Sequence, residues 1–147
     1  MRLVLGIDHL RVKMHNLESY EEKNMVKSIS PIFPSTDIGM TGKYYEEKLG
    51  FKQVKYLNSS EPHICLYLDD VEIILTQAIK KIVPNHEMYG YGYDAYVYTD
   101  NQEKLQIACE EKGVKIVRRL GVTDYHNREL VIEDIDGRWI AFGLKEI

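Results

Sequence analysis

The chain has 147 residues, 44% of them hydrophobic and 29% charged, a balance that excludes a disordered chain and bounds the molecule to one compact unit or two small modules sharing an interface. A formal charge of −4, with Arg118-Arg119 the only adjacent arginines, excludes the clustered positive charge that a nucleic-acid partner requires and suits a cationic ligand better. No apolar run is long enough to cross a bilayer, and Gly6 and Asp8 interrupt the apolar start Leu3–Leu5, so neither a membrane partner nor a secretory leader is expected.

The segment SPIFPSTDIGMTGKYYEEKLGF, Ser30 to Phe51, with the two residues before it predicts a strand over Ser28–Phe33, stopped by Pro34, which cannot donate to a ladder. Ser35, Thr36 and Asp37 offer caps for a helix ending at Gly50. Ile38, Tyr45 and Leu49 share one face of it. Gly39 and Gly42 weaken the helix unless it lies close on a sheet. Three strands follow in FKQVKYL, HICLYLD and VEIILTQAI, the last two joined by the turn Asp69-Asp70. KKIVPNHEMYGYG reads as a polar connector. Its Gly90-x-Gly92-x-x-Ala95 precedes a strand and opens no helix, so it is not a dinucleotide fingerprint.

The order then starts again. YDAYVYT predicts a strand, Asp100 caps the helix NQEKLQIACEEK, which carries Leu105, Ala108 and Cys109 on one side, and Gly113 ends it. VKIVRRL, RELVIED and RWIAFGL complete three more strands, the last two joined by the hairpin turn Asp134–Gly137. LGFKQV and KGVKIV are the matching helix-to-strand joints of an internal repeat of roughly sixty residues.

With that repeat, PSTDIGMTGKYYEEKLGF and NRELVIEDIDGRWIAFG resemble the opening and the closing hairpin of the vicinal oxygen chelate superfamily, which includes glyoxalases, extradiol dioxygenases and bleomycin-resistance proteins. The resemblance spans about Ser28 to Lys145. It implies an α+β fold of two βαβββ modules, about 28–80 and 92–147, forming curved mixed sheets around a cavity. Residues 28–147 form that domain and residues 1–27 an N-terminal extension. The nearer likeness is to bleomycin-resistance proteins: Pro31 and Pro34 resemble the prolines of a first strand exchanged between the subunits of a homodimer. Tyr96-Val97-Tyr98 resembles their aromatic-Val-aromatic strand, and Tyr125 stands where a ligand-stacking aromatic precedes Arg128-Glu129-Leu130. The plainer alternative is that the prolines end an edge strand and the tyrosines pack on a helix.

Metal-dependent members place His and Glu on the first and last strands of each module. The corresponding positions here are Ser30, Ile74, Asp94 and Ala141, one carboxylate among groups that hold no catalytic ion. No metal and no cofactor are expected. His63 shares a strand face with Cys65 and Tyr67, His86 lies in the connector, and His126 beside Asp124 has no recognisable nucleophile to serve. In the extension, His9 stands seven residues before Asn16, where a first-strand ligand occurs in another family opening.

Eleven tyrosines against three phenylalanines and one tryptophan suggest a cavity that stacks flat rings while offering hydroxyls. Its candidate lining is Tyr56, Tyr67, Tyr96, Tyr98, Tyr125 and Trp139. The function expected is a homodimeric, metal-independent small-molecule binding protein, resembling bleomycin-resistance proteins, that sequesters a planar aromatic ligand. Positive charge on that ligand suits the acidic balance. A metal-dependent lyase, dioxygenase or thiol transferase of the same superfamily is the alternative, and a regulatory module without a ligand the third. Cys65 and Cys109 read as reduced core thiols of a cytoplasmic protein.

Overall fold

The computed structural model describes residues 25–146; most of the expected extension, His9 included, lies outside the described residues. The first module runs β1 (Ile32–Ser35), α1 (Ile38–Leu49), β2 (Lys52–Tyr56), β3 (His63–Leu68) and β4 (Val71–Gln77). After α2 (Asn85–Tyr89), the second runs β5 (Ala95–Tyr98), α3 (Gln102–Glu111), β6 (Lys115–Val122), β7 (Asn127–Glu133) and β8 (Trp139–Lys145). Two four-stranded sheets result, ordered β1-β4-β3-β2 and β5-β8-β7-β6. In each, the first strand pairs parallel to the last, Ile32 opposite Ile74 and Tyr96 opposite Ala141, while the other pairs are antiparallel. A parallel pair cannot be closed by a hairpin, so each module's helix and two intervening strands make the crossover.

The first strand departs from expectation: it starts at Ile32 and runs through Pro34. The physical reason is its place at the sheet edge. The carbonyls of Pro31 and Ser35 accept from Ile74 and Ala78 N–H at 3.0 and 2.8 Å, so the alternate residue Pro34 turns its nitrogen and its carbonyl away from β4. The missing N–H therefore removes no ladder bond. Helix α1 begins as expected, Asp37 Oδ1 accepting from Met40 N–H at 3.0 Å, and ends at Gly50 with φ 79°, a conformation that favours glycine. A Cβ on Gly42 would overlap the Gln53 amide and lie 3.3 Å from Ile64 Cδ1, which is the close helix-on-sheet approach its sequence called for. Gly39 has no such neighbour, only its own cap Asp37.

Two local readings are corrected. Asp100 does not cap α3. The N-cap is Asn101, which makes no side-chain cap bond, and the Thr99 hydroxyl takes the Asn101 N–H at 3.1 Å instead. The connector also holds the single turn α2, entered through Pro84 and left through Gly90 at φ 85°; a fixed proline φ ahead of the turn and a permissive glycine after it suffice for so short a helix.

Alternation on the strands sends Phe33, Ile64, Leu66, Ile73 and Leu75 of the first sheet, and Leu130, Ile132, Ile140 and Phe142 of the second, into one buried cluster with Tyr45 and Cys109. The helix-covered sides of both sheets thus share a core, and their helix-free faces point out of it. A buried polar network locks this arrangement. Asp134 Oδ2 accepts from Tyr45 of α1 at 2.5 Å and from Arg138 at 3.0 Å. Asp134 Oδ1 caps the β7–β8 turn through the N–H groups of Asp136 and Arg138. Arg138 also donates to the free carbonyl of Pro34, and its guanidinium lies 4.6 Å from the centre of the Phe33 ring. Thr41 donates to Asp136 at 2.7 Å; having one proton, it must accept from Ser35 at 2.8 Å. No helix among the described residues is long and apolar enough to cross a membrane.

Arg138 is 2% exposed, so truncating it strands Asp134 as a buried charge. We expect Arg138→Ala to lose about 3–5 kcal/mol of unfolding free energy, measured by urea denaturation. A loss below about 1 kcal/mol would mean that the network does not hold the modules.

Candidate functional site

The helix-free face of the second sheet is built by alternation. In β7 it presents Asn127, Glu129, Val131 and Glu133; across the ladder stand Gly143, Ala141 and Trp139 of β8, and beside those Tyr96 and Tyr98 of β5. Glu129 is fully buried. Phenol donors reach it from three separate segments: Tyr96 at 2.8 Å on Oε2, Tyr93 at 2.8 Å on Oε1, and Tyr125, also on Oε1. Arg118 adds a charged contact at 3.2 Å. Asn127 donates to the Tyr96 hydroxyl at 3.0 Å. A buried carboxylate is tolerable only when its lone pairs are filled and its charge is paired, and these neighbours do both. Gly143 makes the approach possible: a Cβ there would overlap the Tyr96 hydroxyl and lie 2.8 Å from Glu129 Cβ.

The phenols respond to this setting. Burial first, and then hydrogen bonding to Glu129, pushes the Tyr96 hydroxyl up to about 12. Tyr93 is raised further, by burial and then by its bonds to Tyr125 and Glu129. At the far end of the face Trp139 stacks on His86, ring centres 3.8 Å apart and planes 6° from parallel. Trp139 Nε1–H donates to Glu133 at 3.1 Å. Glu133 also pairs with Lys115 at 3.0 Å.

The first sheet's helix-free face carries Tyr56 stacked on His63, ring centres 4.9 Å apart, then Cys65, Ile74 and Thr76. His63 Nδ1 contacts the Glu61 carbonyl at 2.8 Å, so Nδ1 carries a proton, and a depression of about 620 Å³ is lined by His63, Cys65, Ile74 and Thr76 among others. Between the modules, a cleft of about 520 Å³ is lined by Ile29, Ser30, Tyr67, Glu72, Tyr96 and Tyr98 among others. The proposed lining residues therefore fall into groups. Tyr67, Tyr96 and Tyr98 share the inter-module cleft. Tyr125 joins Tyr96 at Glu129, Trp139 lies at the other end of that face, and Tyr56 sits apart on β2.

The four positions that the resemblance sets against metal ligands take distinct roles. Ser30 donates to Glu72 Oε1 at 2.6 Å; that bond, with one from Tyr67, holds Glu72 below the usual carboxylate range. Ile74 stands between Ile32 and Cys65, and Ala141 between Tyr96 and Val131. Asp94 is a turn group, accepting from the N–H groups of Asn85 and Trp139, both at 3.3 Å. Among the described residues, no three His, Cys, Asp or Glu side chains gather as an ion site would need. Two methyl-bearing side chains, a hydroxyl and a spoken-for carboxylate do not fit a divalent cation.

Sequence reasoning missed Glu129 as the centre of the face, together with Tyr93, Arg118 and Asn127. The available signal was a carboxylate at an alternate position of a strand otherwise rich in Leu, Val and Ile.

Paired βαβββ modules with aromatic, helix-free sheet faces define the class to which this molecule belongs. The chain is a member of the glyoxalase/bleomycin resistance protein/dioxygenase superfamily, whose family model matches residues 29–142. No curated protein sequence matches it. Among solved structures it is similar to a bleomycin resistance determinant encoded on the transposon Tn5, with a TM-score of 0.66 at 17% identity over 83% of this chain and 100% of that one. A glyoxalase/bleomycin resistance protein/dioxygenase from Alicyclobacillus acidocaldarius gives 0.65 at 13% identity, covering 82% of this chain and 92% of that one. TioX from Micromonospora sp. ML1 gives 0.63 at 12%, covering 83% and 100%. At these identities the likeness is one of fold.

Two outcomes follow from the Glu129 cluster. Gly143→Ala should turn Tyr96 off the carboxylate and leave a buried acceptor short of a donor, costing about 1–3 kcal/mol in urea denaturation; an unchanged midpoint would show the ring is not held there. In an alkaline titration followed by ultraviolet difference absorbance, Tyr96 should stay protonated through the ordinary tyrosine range near 10. Because its folded value is raised, the stability it contributes is complete below about pH 10 and fades as pH rises toward about 12. Glu129→Gln should bring its ionisation down part of the way, since burial remains; no movement would assign the whole shift to burial.

Proposed function

We propose that this protein binds and sequesters a planar aromatic small molecule in cavities completed by two copies of the chain, and does so without a metal. One observation carries the reading: the helix-free faces leave the shared core uncovered on their outer sides and expose rings and aliphatic carbons. Ile32, Tyr56, Tyr98 and Tyr125 are 60, 48, 65 and 51% exposed, with Val54 and Tyr67 close behind. Apolar patches of this kind mark ligand or partner surfaces. A second copy laying the first-sheet face of one chain over the second-sheet face of the other would bring Tyr56 and Tyr67 opposite Tyr96, Tyr98 and Tyr125, forming a two-walled slot for a flat ring system.

In this reading Pro31 and Pro34 are the hinge about which the first strand exchanges between subunits. Residues 28–147 are the binding domain and residues 1–27 an extension to it. The chain sequesters its ligand without turnover, the mode that its resemblance to bleomycin-resistance proteins supports. Cys65 and Cys109 are both free and buried, in keeping with a cytoplasmic protein. The fit of Ile74 and Ala141 to aliphatic packing supports metal independence.

Light scattering should give the mass of a dimer, and Ile32→Arg, placing a charge on an exposed face position, should yield a monomer with its melting temperature little changed. Ethidium, a planar aromatic cation, should quench Trp139 and tyrosine fluorescence saturably, equally well after dialysis against a chelator. Tyr98→Ala should weaken that binding by about five- to tenfold, the worth of one stacked ring. A monomer showing no saturable response would overturn the reading. Binding lost on chelation and restored by a divalent ion would favour the metal-dependent enzymes of the superfamily.

A further inference from the structure

Glu129 carries its donors unevenly. Oε2 accepts one hydrogen bond, from Tyr96. Oε1 accepts three, from Tyr125, from Tyr93 at 2.8 Å and from Arg118 at 3.2 Å. A carboxylate oxygen offers two lone pairs, so three donors must share them, and one contact is longer than the others. That contact belongs to Arg118. Its side chain is 47% exposed while that of Glu129 is 0% exposed, so the guanidinium spans the distance from the buried carboxylate to solvent. It rises from β6 where the pairing with β7 slips on both sides of Arg118, an irregularity that re-aims a side chain.

The surroundings suit a cation whatever its source. Arg118 Cζ lies 5.8 Å from the centre of the Tyr93 ring, against its electron-rich face. Tyr93, Tyr96 and Tyr125 all donate their single phenol proton to Glu129, so they offer further groups only lone pairs and ring faces. Asn127 takes up the Tyr96 oxygen; those of Tyr93 and Tyr125 lie 3.2 Å from each other, and with both protons on Glu129 their lone pairs await a donor. The structure assigns Arg118 the part of an internal stand-in: its guanidinium occupies a receptor for the amidinium, guanidinium or ammonium group of a planar ligand, which binds by displacing it and pairing with Glu129.

Charge is what the displacement selects. Removing Arg118 with nothing in its place would leave Glu129 a buried, unpaired anion, so a neutral ring cannot open the receptor and a cationic one can. This rests on the ligand-binding reading above and narrows it to cations. It also makes Arg118 a specificity device: the affinity observed for a cation is lowered by the fraction of time the arginine occupies the receptor.

The test compares benzamidine, a planar aromatic cation, with its neutral near-isostere benzamide, titrated calorimetrically against folded dimer of the wild type, Arg118→Ala, Arg118→Lys and the double variant Arg118→Ala, Glu129→Gln. Arg118→Ala should bind benzamidine at least on the order of tenfold more tightly than wild type, corresponding to an arginine that vacates the receptor about a tenth of the time or less. Benzamide should change less than about twofold, Arg118→Lys should behave as wild type because it keeps a cation, and the double variant should lose the preference for benzamidine. Melting curves confirm that each variant is folded. The inference is overturned if Arg118→Ala binds benzamidine no better than wild type, or if benzamide gains equally. In that event saturable ethidium binding leaves the ligand-binding reading standing. If no folded variant binds any of the three compounds, both fall.

Discussion

The ion pair between Asp134 and Arg138 is the constraint on which the arrangement of the two modules depends. Both side chains are almost wholly buried, and taking two charges out of water is tolerable only if every remaining donor and acceptor is used. They are used on both modules at once: Tyr45 of α1 and the Pro34 carbonyl of β1 on one side, the β7–β8 turn on the other. The pair therefore does more than close its own hairpin. It ties the first strand and first helix to the last hairpin, some hundred positions further along the chain, and sets the helix-covered sides of both sheets against a common core. The helix-free faces are left outward as a consequence.

Proline in the first strand belongs to the same logic. A residue that cannot donate is tolerated at a sheet edge, and the carbonyl left over on the outward side needs a partner. Arg138 is that partner. The Ser30–Phe51 stretch thus reads as a set of interlocking requirements: an edge strand with one free carbonyl, a capped helix brought close to the sheet at Gly42, and Tyr45 reaching across to Asp134.

What the sequence made legible is what depends on neighbours in the chain. Period-two runs, the Asp37 cap, Gly50 and the Asp134–Gly137 turn each rest on a few adjacent residues, and their repetition gave the paired-module architecture. The faces of Ile74 and Ala141 were legible too, because alternation carries a strand's orientation along its length. The site itself was harder to read. Glu129 draws its donors from the connector, from β5, from β6 and from the loop before β7, and no local pattern announces that Tyr93, Tyr96, Tyr125 and Arg118 converge. The slip in the β6–β7 pairing that lets Arg118 reach inward cannot be read from Lys115–Val122, where alternation alone would predict an unbroken ladder. The stack of His86 on Trp139 was hidden for a similar reason: it needs the one-turn helix α2, set by Pro84 and Gly90 in a segment that otherwise reads as loop.

The chemistry of the second sheet turns on where its buried carboxylate stands. Ala141, the closing-strand position that the family resemblance sets against a metal ligand, leaves a methyl group there. The carboxylate of this chain stands one strand over, at Glu129, opposite Gly143. Its place sets its partners. Gly143 has no side chain, so Tyr96 can lie across it and donate, and the two other phenols and Arg118 close around the remaining oxygen. An ion-binding carboxylate must keep lone pairs pointing into an open cavity. Glu129 instead gives them to three phenol donors and to the guanidinium of Arg118. Glycine at 143, tyrosine at 96 and glutamate at 129 therefore act as one unit, and changing any one of them should unmake the face in the same way.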